Sequence, residues 1–318
     1  MKIRPGNYWP ILCAVPLLLP ALIGLPRPVA SPAAPRIEGT VCTRGRPTPG
    51  ARVRLKATEL ATLTDGRGRF TLPAASSGRI TAWKEGYFIA GLPLSSGPLQ
   101  LQLRPLPGRD DPSYAWVDPY PDPAREFACA NCHRQIFQEW QASAHSRSAV
   151  GRHFRDLYGD GPGWSLSRQY EDGKGVCAAC HAPALAPGDP AFLDLDRVRG
   201  QAARGVHCDF CHKVAGLHEG SFGTSHGRDL LKLLRPSQGQ LFFGPLDDVD
   251  RDEDSFSPLY RDSRYCAACH EGVLFGVEVY RTFSEWKSSP AARAGVPCQD
   301  CHMKPTGTMT NIAPGRGG

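Results

Sequence analysis

The chain has 318 residues, enough for two modest domains, and its 21% charged and 9% aromatic shares exclude wholesale disorder. Its formal net charge of +6 gives no support to nucleic-acid binding, because three of the cations, Lys2, Arg4 and Arg27, lie in the first thirty residues. The 34 glycines and 30 prolines indicate many turns and short regular elements.

The first thirty residues have the arrangement of a secretory signal. Lys2 and Arg4 precede an apolar stretch over residues 11–25, and small residues over 28–33 offer a cleavage site. An uncleaved membrane anchor is the alternative, but the apolar stretch is shorter than the roughly 20 residues that a spanning helix needs. We therefore predict a signal peptide over residues 1–30 and a secreted bacterial protein that is periplasmic or extracellular.

Residues 35–105 are predicted to form a small all-β domain. Apolar and polar residues alternate at period two over 36–42 and 51–56, which indicates strands. Asp65 and Gly66 lie between two further strands, a pattern typical of a β-hairpin. The remaining strands are predicted over 78–83, 87–90 and 99–103. Short strands at this spacing indicate a β-sandwich.

Several motifs of this segment are similar to those of the carboxypeptidase regulatory-like domain. They are Gly39-Thr-Val41, Pro49-Gly-Ala-Arg-Val53, Thr64-Asp-Gly-Arg-Gly-Arg-Phe70 and Lys84-Glu-Gly-Tyr87. The resemblance implies a transthyretin-like or immunoglobulin-like sandwich without catalytic residues of its own. Cys42 is predicted to be a buried strand residue, with a disulfide partner as the alternative.

Prolines are concentrated over residues 106–125, at Pro107, Pro112, Pro119, Pro121 and Pro123. A segment so rich in proline is typical of a semi-rigid spacer. We therefore predict a Pro-rich linker over residues 106–125 and a second domain over residues 126–318.

Ten of the twelve cysteines belong to five copies of Cys-x-x-Cys-His. Motifs 1 to 5 are, in chain order, Cys129/Cys132/His133, Cys177/Cys180/His181, Cys208/Cys211/His212, Cys266/Cys269/His270 and Cys298/Cys301/His302. Two thiols one helical turn apart can form thioethers to the vinyl groups of a porphyrin, and the adjacent His can ligate its iron. The pattern predicts five covalently bound haems c, held by these fifteen residues.

Three other uses of these cysteines fit the pattern less well. A zinc ribbon does not require a His after every second Cys. Structural disulfides suit a secreted protein, but the repeated x-x spacing would close strained small loops. A redox enzyme of the Cys-x-x-Cys type has one such motif rather than five. Haem attachment therefore remains the interpretation of all five copies.

Two internal repeats run through the second domain. Motifs 2 and 4 share the sequence Cys-Ala-Ala-Cys-His, and motifs 3 and 5 come after them at separations of 31 and 32 residues. This spacing predicts that motifs 2 and 3 and motifs 4 and 5 are duplicated pairs. A second echo links residues 137–145 with residues 283–291, where His145 in the first copy corresponds to Ala291 in the second.

Residues 127–304 resemble the multihaem cytochromes of nitrogen and sulfur metabolism, the small tetrahaem and pentahaem types. Trp140, Ser143 and His145 match a Trp-x-x-Ser-x-His element whose His is a distal iron ligand in that family, and Gly205-Val-x-Cys208 matches a later haem site. The chain departs from the tetrahaem type by its fifth motif. It also lacks the Cys-x-x-Cys-Lys variant of the pentahaem nitrite reductases. The resemblance implies a loop-rich, mostly α multihaem cytochrome c domain.

Five histidines outside the motifs equal the predicted number of haems. They are predicted as distal iron ligands: His145, His153, His207, His218 and His226. For His207 the alternative is a hydrogen bond to a propionate or to the backbone, and for His153 it is an exposed imidazole. Met303 directly follows His302 and cannot reach the opposite face of the same haem.

The fifth haem site differs from the others in the histidines that surround it. No His occurs after His302, and Ala291 offers no imidazole in the second copy of the Trp element. The sequence therefore predicts that the haem of motif 5 has no distal ligand from its own module.

An acidic run over residues 247–254 is predicted to be a solvated loop. Its alternating aspartates resemble a calcium-binding loop, but Glu253 stands where such a loop needs Gly, and Leu259 stands where it needs a bidentate Glu.

These patterns favour a secreted multihaem cytochrome c that transfers electrons through five haems, with no catalytic residue assigned. Two alternatives stay open: an oxidoreductase that acts on a small nitrogen or sulfur oxyanion at one open haem, and a subunit of an extracellular cytochrome filament. The expected partners are redox proteins, quinol-linked or other cytochromes. A membrane-associated complex through the β-sandwich and an oligomer are both compatible with the sequence; no nucleic-acid partner is expected.

Overall fold

The computed structural model describes residues 36–95, 97–125, 128–152, 155–156, 177–186, 188–219, 225–274 and 277–303. The predicted signal peptide over residues 1–30 lies outside these residues. All described residues belong to one compact unit of the chain, Arg36–Gly318.

Residues 36–104, called the β-domain below, form two sheets. The strands are β1 (Arg36–Thr43), β2 (Arg46–Pro47), β3 (Arg52–Leu55), β4 (Ala61–Leu63), β5 (Arg69–Pro73), β6 (Arg79–Trp83), β7 (Ala90–Pro93) and β8 (Leu99–Gln102). In the first sheet β1 pairs with β2 and β5 in antiparallel fashion and with β8 in parallel. The second sheet has the antiparallel order β4-β3-β6-β7.

Side chains from both sheets share one apolar core. Alternate residues of β1, Ile37 and Val41, meet Val53 and Leu55 of β3 and Ile80 of β6 there. Each such buried aliphatic side chain contributes roughly 1.5–3 kcal/mol relative to an exposed one. The predicted period-two strands therefore exist because one face of each strand is removed from water.

The turn at Asp65 and Gly66 differs from its prediction. β4, before the turn, pairs with β3 in the second sheet, and β5, after it, pairs with β1 in the first sheet. The Asp65 carboxylate accepts the backbone N–H groups of Arg67 and Arg69 at 2.8 Å each, which holds the turn. The turn is a corner that carries the chain from one sheet to the other, and the prediction of a hairpin is wrong.

The region from residue 128 to residue 303, called the C-terminal region below, is built of short elements joined by loops. Its α-helices are α1 (Cys129–Cys132), α2 (Arg134–Ala142), α3 (Cys177–His181), α4 (Cys208–Cys211), α5 (Arg264–His270), α6 (Thr282–Ser288), α7 (Pro290–Arg293) and α8 (Cys298–His302). The strands are β9 (Val214–Leu217), β10 (Leu231–Leu233), β11 (Phe242–Gly244), β12 (Asp254–Phe256), β13 (Gly272–Leu274) and β14 (Val277–Tyr280). Single turns of 3-10 helix lie at His145–Arg147, Pro190–Phe192, Leu195–Arg197, Gly200–Arg204, Gly227–Leu230 and Pro258–Arg261.

The C-terminal region has small, separate apolar clusters. One of them consists mostly of alanines, at positions 149, 178, 182, 184, 191 and 202. Another surrounds Phe210 and Val214. Within the described residues no helix is both long and apolar enough to cross a bilayer.

The proline-rich segment 106–125 packs against the C-terminal region. The Trp116 indole N–H donates to the carbonyl of Ala184 at 2.9 Å. Tyr120 lies under the guanidinium of Arg204, 4.2 Å from ring centre to Cζ. The segment predicted as a spacer therefore forms part of the wall of the C-terminal region.

The acidic run is bound by the β-domain. The side chains of Asp247 and Asp250 are only 11% and 3% exposed, because basic residues of β3 and β6 surround them. The prediction of a solvated loop is wrong. The charges within the run suggested that it is exposed to water. Its partners could not be found from the local pattern, because Arg54, which binds Asp247, lies 193 residues earlier in the sequence.

Candidate functional site

Each Cys-x-x-Cys-His motif lies on a short helix. Because an α-helix has 3.6 residues per turn, the two thiols of a motif lie one turn apart on the same face. Motifs 2 to 5 occupy α3, α4, the end of α5 and α8, and motif 1 occupies α1. This local geometry fits the two thioether bonds of a haem c in all five motifs.

Thiols of different motifs lie close to one another. Cys208 of motif 3 is near enough to Cys129 of motif 1 to lower the pKa of Cys129. Cys269 is likewise close to Cys180, and Cys266 is close to Cys298. The structure thus brings motif 1 next to motif 3, motif 2 next to motif 4, and motif 4 next to motif 5.

Two half-buried tyrosines join motif 3 to motif 4. The hydroxyl groups of Tyr260 and Tyr265 both donate to the carbonyl of Cys211, the latter at 2.8 Å. Tyr265 directly precedes Cys266 in the chain. Burial raises the pKa of both phenols, so both remain donors. All five motifs therefore belong to one connected cluster.

Several thiols of this cluster are shielded from water. Burial raises the pKa of Cys211 to about 11 and that of Cys266 to about 12. The hydrogen bond from Cys208 lowers the pKa of Cys129, and the same contact together with burial raises the pKa of Cys208.

Motif 5 is more exposed than the other four motifs. Cys301 is exposed, whereas the nine other motif cysteines are half-buried. His302, the next residue, is exposed as well. The physical reason is that α8 has no buried residue of its own. The Cys301 thiol therefore faces solvent.

Two motif histidines are oriented by backbone carbonyls. The Nδ1–H of His181 donates to the carbonyl of Ser148 at 3.1 Å, and that of His212 donates to the carbonyl of Phe243 at 2.5 Å. A donating Nδ1 leaves the lone pair of Nε2 for a metal. His133 has a buried Nδ1 without a hydrogen-bond partner among the described residues. This arrangement fits axial ligation of a haem iron through Nε2.

Four motif histidines and His145 are held in the neutral form that a metal requires. Burial is the main cause that lowers the pKa of these five residues, His133, His145, His181, His212 and His270. Their imidazoles are therefore ready to ligate iron without first losing a proton.

Among the predicted distal ligands, His145 faces a motif histidine. Its ring centre lies 6.1 Å from that of His270 in motif 4. Two metal–nitrogen bonds of about 2 Å each, plus the half-widths of two imidazole rings, give a separation of about 6 Å. The spacing of the two rings would allow His145 and His270 to hold one iron between them.

The backbone around His145 is fixed by neighbours of motif 3. The carbonyl of His145 accepts the N–H of Val206 at 3.0 Å, and the Trp140 indole donates to the carbonyl of Val206 at 2.8 Å. Gly205 has φ +66°, and a Cβ there would lie 2.3 Å from the His145 carbonyl oxygen. Only glycine fits this close approach. Ser148 adds a hydrogen bond from its hydroxyl to the carbonyl of His181 at 2.7 Å.

The other predicted ligands are placed differently. His207 is fully buried, and its Nδ1 accepts the N–H of Phe210 at 3.2 Å as the cap of α4. Its proton is then on Nε2, whose N–H has no partner among the described residues, so Nε2 ligates iron only if the cap bond breaks. Burial lowers its pKa to about 4. His218 is exposed and His226 is half-buried. The residue after His226, Gly227, lies against the backbone of α3. His153 lies outside the described residues.

A buried ion pair beside motifs 1 and 3 was not anticipated from the sequence. Lys213 and Asp209 pair within α4 and its end, and both side chains are fully buried. The other carboxylate oxygen of Asp209 accepts the Tyr114 hydroxyl at 3.0 Å and the N–H of Val117 at 2.8 Å. The pair fastens the proline-rich segment to motif 3.

The echo around the two tryptophans is also structural. Trp286 donates its indole N–H to the carbonyl of Val296 at 3.0 Å, and the N–H of Val296 donates to the carbonyl of Ala291 at 3.0 Å. These bonds repeat those of Trp140, Val206 and His145. In the first copy the first cysteines of motifs 1 and 3 lie close together, and in the second copy those of motifs 4 and 5 do. Motif 1 therefore corresponds to motif 4, and motif 3 corresponds to motif 5. This correspondence adds to the predicted pairing of motifs 2 and 3 with motifs 4 and 5.

Comparisons with known proteins agree with part of this site. Residues 128–213 match the family model described as cytochrome c554 and c-prime. The match includes motifs 1 to 3 and supports a multihaem c-type cytochrome region with covalently bound haem. No curated protein matches the sequence.

Solved structures give a weak likeness. Two mutant type II cohesin–X-dockerin complexes from Acetivibrio cellulolyticus align at 17% and 18% identity. Each alignment covers 21% of this chain and 49% of the other, so the chain spans about half the length of these structures. Both TM-scores are 0.18, and so low a score supports no structural conclusion.

Proposed function

We propose that this chain is an exported pentahaem cytochrome c that passes electrons through five covalently bound haems. The observation that carries the proposal is the connected cluster of all five motifs. Motif cysteines that lie close together would bring their haems close together, so electrons could pass directly from one haem to the next. Haem, once bound, supplies the reversible ferric–ferrous couple.

The residues of the chain would hold these haems from both sides. The cysteines of each motif would form the thioethers, and the His of each motif would ligate the iron. His145 would be the second ligand of the haem in motif 4, because its ring lies 6.1 Å from that of His270. Two imidazole ligands favour a low reduction potential, whereas a methionine ligand raises it.

The thiol contacts suggest a route for the electrons. Motif 4 touches motifs 2 and 5 through sulfur, and motif 3 through Tyr265 and Cys211. Motif 1 is reached through motif 3. The haem of motif 4 is thus the branch point, and those of motifs 1, 2 and 5 are the ends where redox partners, quinol-linked or other cytochromes, exchange electrons. The exposed Cys301 supports motif 5 as one such end.

Reduction of a nitrogen or sulfur oxyanion at the fifth haem has less support than the repeat pattern indicated. That alternative takes Ala291 as the missing ligand of motif 5. The equivalent residue, His145, lies near His270 of motif 4 rather than near the neighbouring motif 3. By analogy, position 291 is not expected to lie near the haem of motif 5, so Ala291 is no evidence that this haem lacks a ligand. Carbon monoxide added to the reduced protein tests the alternative directly, because only an open iron binds it.

Intact mass of the exported protein tests the proposed function. We expect the mass of the mature chain plus five haems, and one haem fewer in the double variant Cys177→Ala/Cys180→Ala. A haem-free mass, or a mass with zinc, would end the proposal. A membrane-associated complex through the β-domain would have to use a face other than β3 and β6, whose basic side chains already bind the acidic run.

A further inference from the structure

We propose that the β-domain positions His212, the proximal ligand of motif 3, through a clamp made by Asp247 and Asp250, and thereby sets the reduction potential of one haem. This inference rests on the proposed function, since it requires haem on motif 3. Asp247 and Asp250 act through other residues and are positioning residues.

The clamp consists of two buried carboxylates on a basic sheet face. Asp247 binds Arg52 at 2.8 Å and makes a two-pronged contact with Arg54 at 2.9 and 3.2 Å. Asp250 binds Lys56 at 2.8 Å and the Nε of Arg79 at 2.9 Å. Charge-assisted pairs that are shielded from water are stronger than exposed ones, and the two-pronged contact also fixes direction.

The β-domain has room for this contact only because of Gly91 in β7. A Cβ at Gly91 would lie 1.9 Å from the carboxylate oxygen and 2.7 Å from the Cβ of Asp250. The whole side chain of Asp250 would have to move if residue 91 were larger. The sheet is thus shaped for the acidic run, which argues against a chance contact.

The strand that comes after the acidic run is held by the β-domain as well. The N–H of Ile89 donates to the carbonyl of Asp254 at 2.9 Å, and the hydroxyl of Ser255 donates to the carbonyl of Tyr87 at 2.8 Å. Phe256 meets Trp83 edge-on, with ring centres 4.9 Å apart. Every residue of β12 therefore contacts the β-domain.

β12 in turn holds the carbonyl that orients His212. It pairs in parallel with β11, which contains Phe243. Phe243 donates its N–H to the carbonyl of His212 at 2.9 Å and accepts the Nδ1–H of the same residue at 2.5 Å. Phe88 of the β-domain packs in one cluster with Phe243, and Tyr260, which stacks on the His212 ring, packs against that cluster. The path from clamp to ligand is continuous.

The physical link to redox chemistry is the Nδ1–H bond. A carbonyl that accepts this proton makes the imidazole a stronger electron donor and fixes its plane. A stronger donor favours ferric iron and lowers the potential. Releasing the clamp should lengthen the bond from His212 to Phe243 and raise the potential of the haem of motif 3.

The experiment uses the exported, haem-loaded protein and the double variant Asp247→Asn/Asp250→Asn. Potentiometric titration followed by electron paramagnetic resonance resolves the five haems. We expect one potential to rise and one set of g values to change, while the other four stay as in the parent. Glu278→Gln is the matched control, because it removes an ion pair whose side chains are both 56% exposed; it should change no haem.

A second variant keeps the test decisive if the double variant folds poorly. Gly91→Ala leaves every charge in place but displaces Asp250, and it should shift the same single haem. Five unchanged potentials, or an equal shift of all five, would overturn the inference. Mass spectrometry of the parent protein separates a failure of the clamp inference from a failure of the proposed function. A parent protein without haem on motif 3 would refute both the inference and the proposed function.

Discussion

The β-domain and the C-terminal region obtain their cores in different ways. The β-domain buries isoleucine, valine, leucine and phenylalanine from two sheets in one cluster. The largest share of one C-terminal cluster is alanine, and the other clusters are separate and small. Alanine buries little area, so side chains alone give this region little stability. The difference teaches that the first region is specified by its side chains and the second by what its cysteines bind.

The largest expected effect comes from withholding haem. Full-length protein made where no haem is attached should lose cooperative structure over residues 128–303 and keep the two sheets of residues 36–104. Limited proteolysis with mass spectrometry should yield a protected fragment that corresponds to the β-domain. Equal protection of both regions in the haem-free chain would remove the contrast between them.

A smaller effect, confined to one haem in five, is expected from His145→Ala. The iron of motif 4 loses an axial imidazole, so one low-spin signal should become high-spin in electron paramagnetic resonance. The matched control is Ala291→His, at the equivalent place of the second copy. It should leave all spin states unchanged, because His145 lies near motif 4 rather than the neighbouring motif 3, and position 291 is by analogy not expected to lie near the haem of motif 5. An unaltered spectrum for His145→Ala would show that His145 is not a ligand. A new low-spin signal in Ala291→His would show that position 291 faces an open iron.

The smallest effect is the acid sensitivity of the clamp. Burial by itself raises the pKa of Asp250, but hydrogen bonds from Arg79 and Lys56 outweigh burial, and the pKa is lowered. A carboxylate with a lowered folded-state pKa contributes stability above its unfolded value of about 3.9, and this contribution is lost as the pH falls through the folded value. The thermal midpoint, followed by Trp83 fluorescence, should therefore fall below about pH 4. In Asp250→Asn the fall should be shallower; identical slopes would show that Asp250 does not contribute.

Local patterns predicted the parts of the molecule that depend on nearby residues. The five motif helices and most strands of the β-domain are local features, since each depends on the spacing of residues within one short segment. The corner at Asp65 escapes such reasoning because a turn motif does not say in which sheet the next strand finds its partner. The acidic run escapes it for the same reason, since its cations lie on β3 and β6.

Other parts of the site have no signature in the sequence at all. Ser148 and Phe243 orient motif histidines through backbone carbonyls, and any residue type has a carbonyl. The exposure of Cys301 is equally invisible, because motif 5 has the same spacing as the four half-buried motifs. His145 can be identified through its sequence element, but its closeness to His270 becomes clear only from the structure.

The contacts between thiols of different motifs impose an order in time on the maturation of the protein. In the folded chain the pairs are Cys129 with Cys208, Cys180 with Cys269, and Cys266 with Cys298. If the protein is exported, as proposed above, it enters a compartment where neighbouring thiols are oxidised to disulfides. A chain that folded first would thus cross-link its own motifs and shut out the cofactor. Haem attachment would therefore have to precede folding. An alanine-rich core favours this order, because it gives the region little tendency to fold before haem is attached.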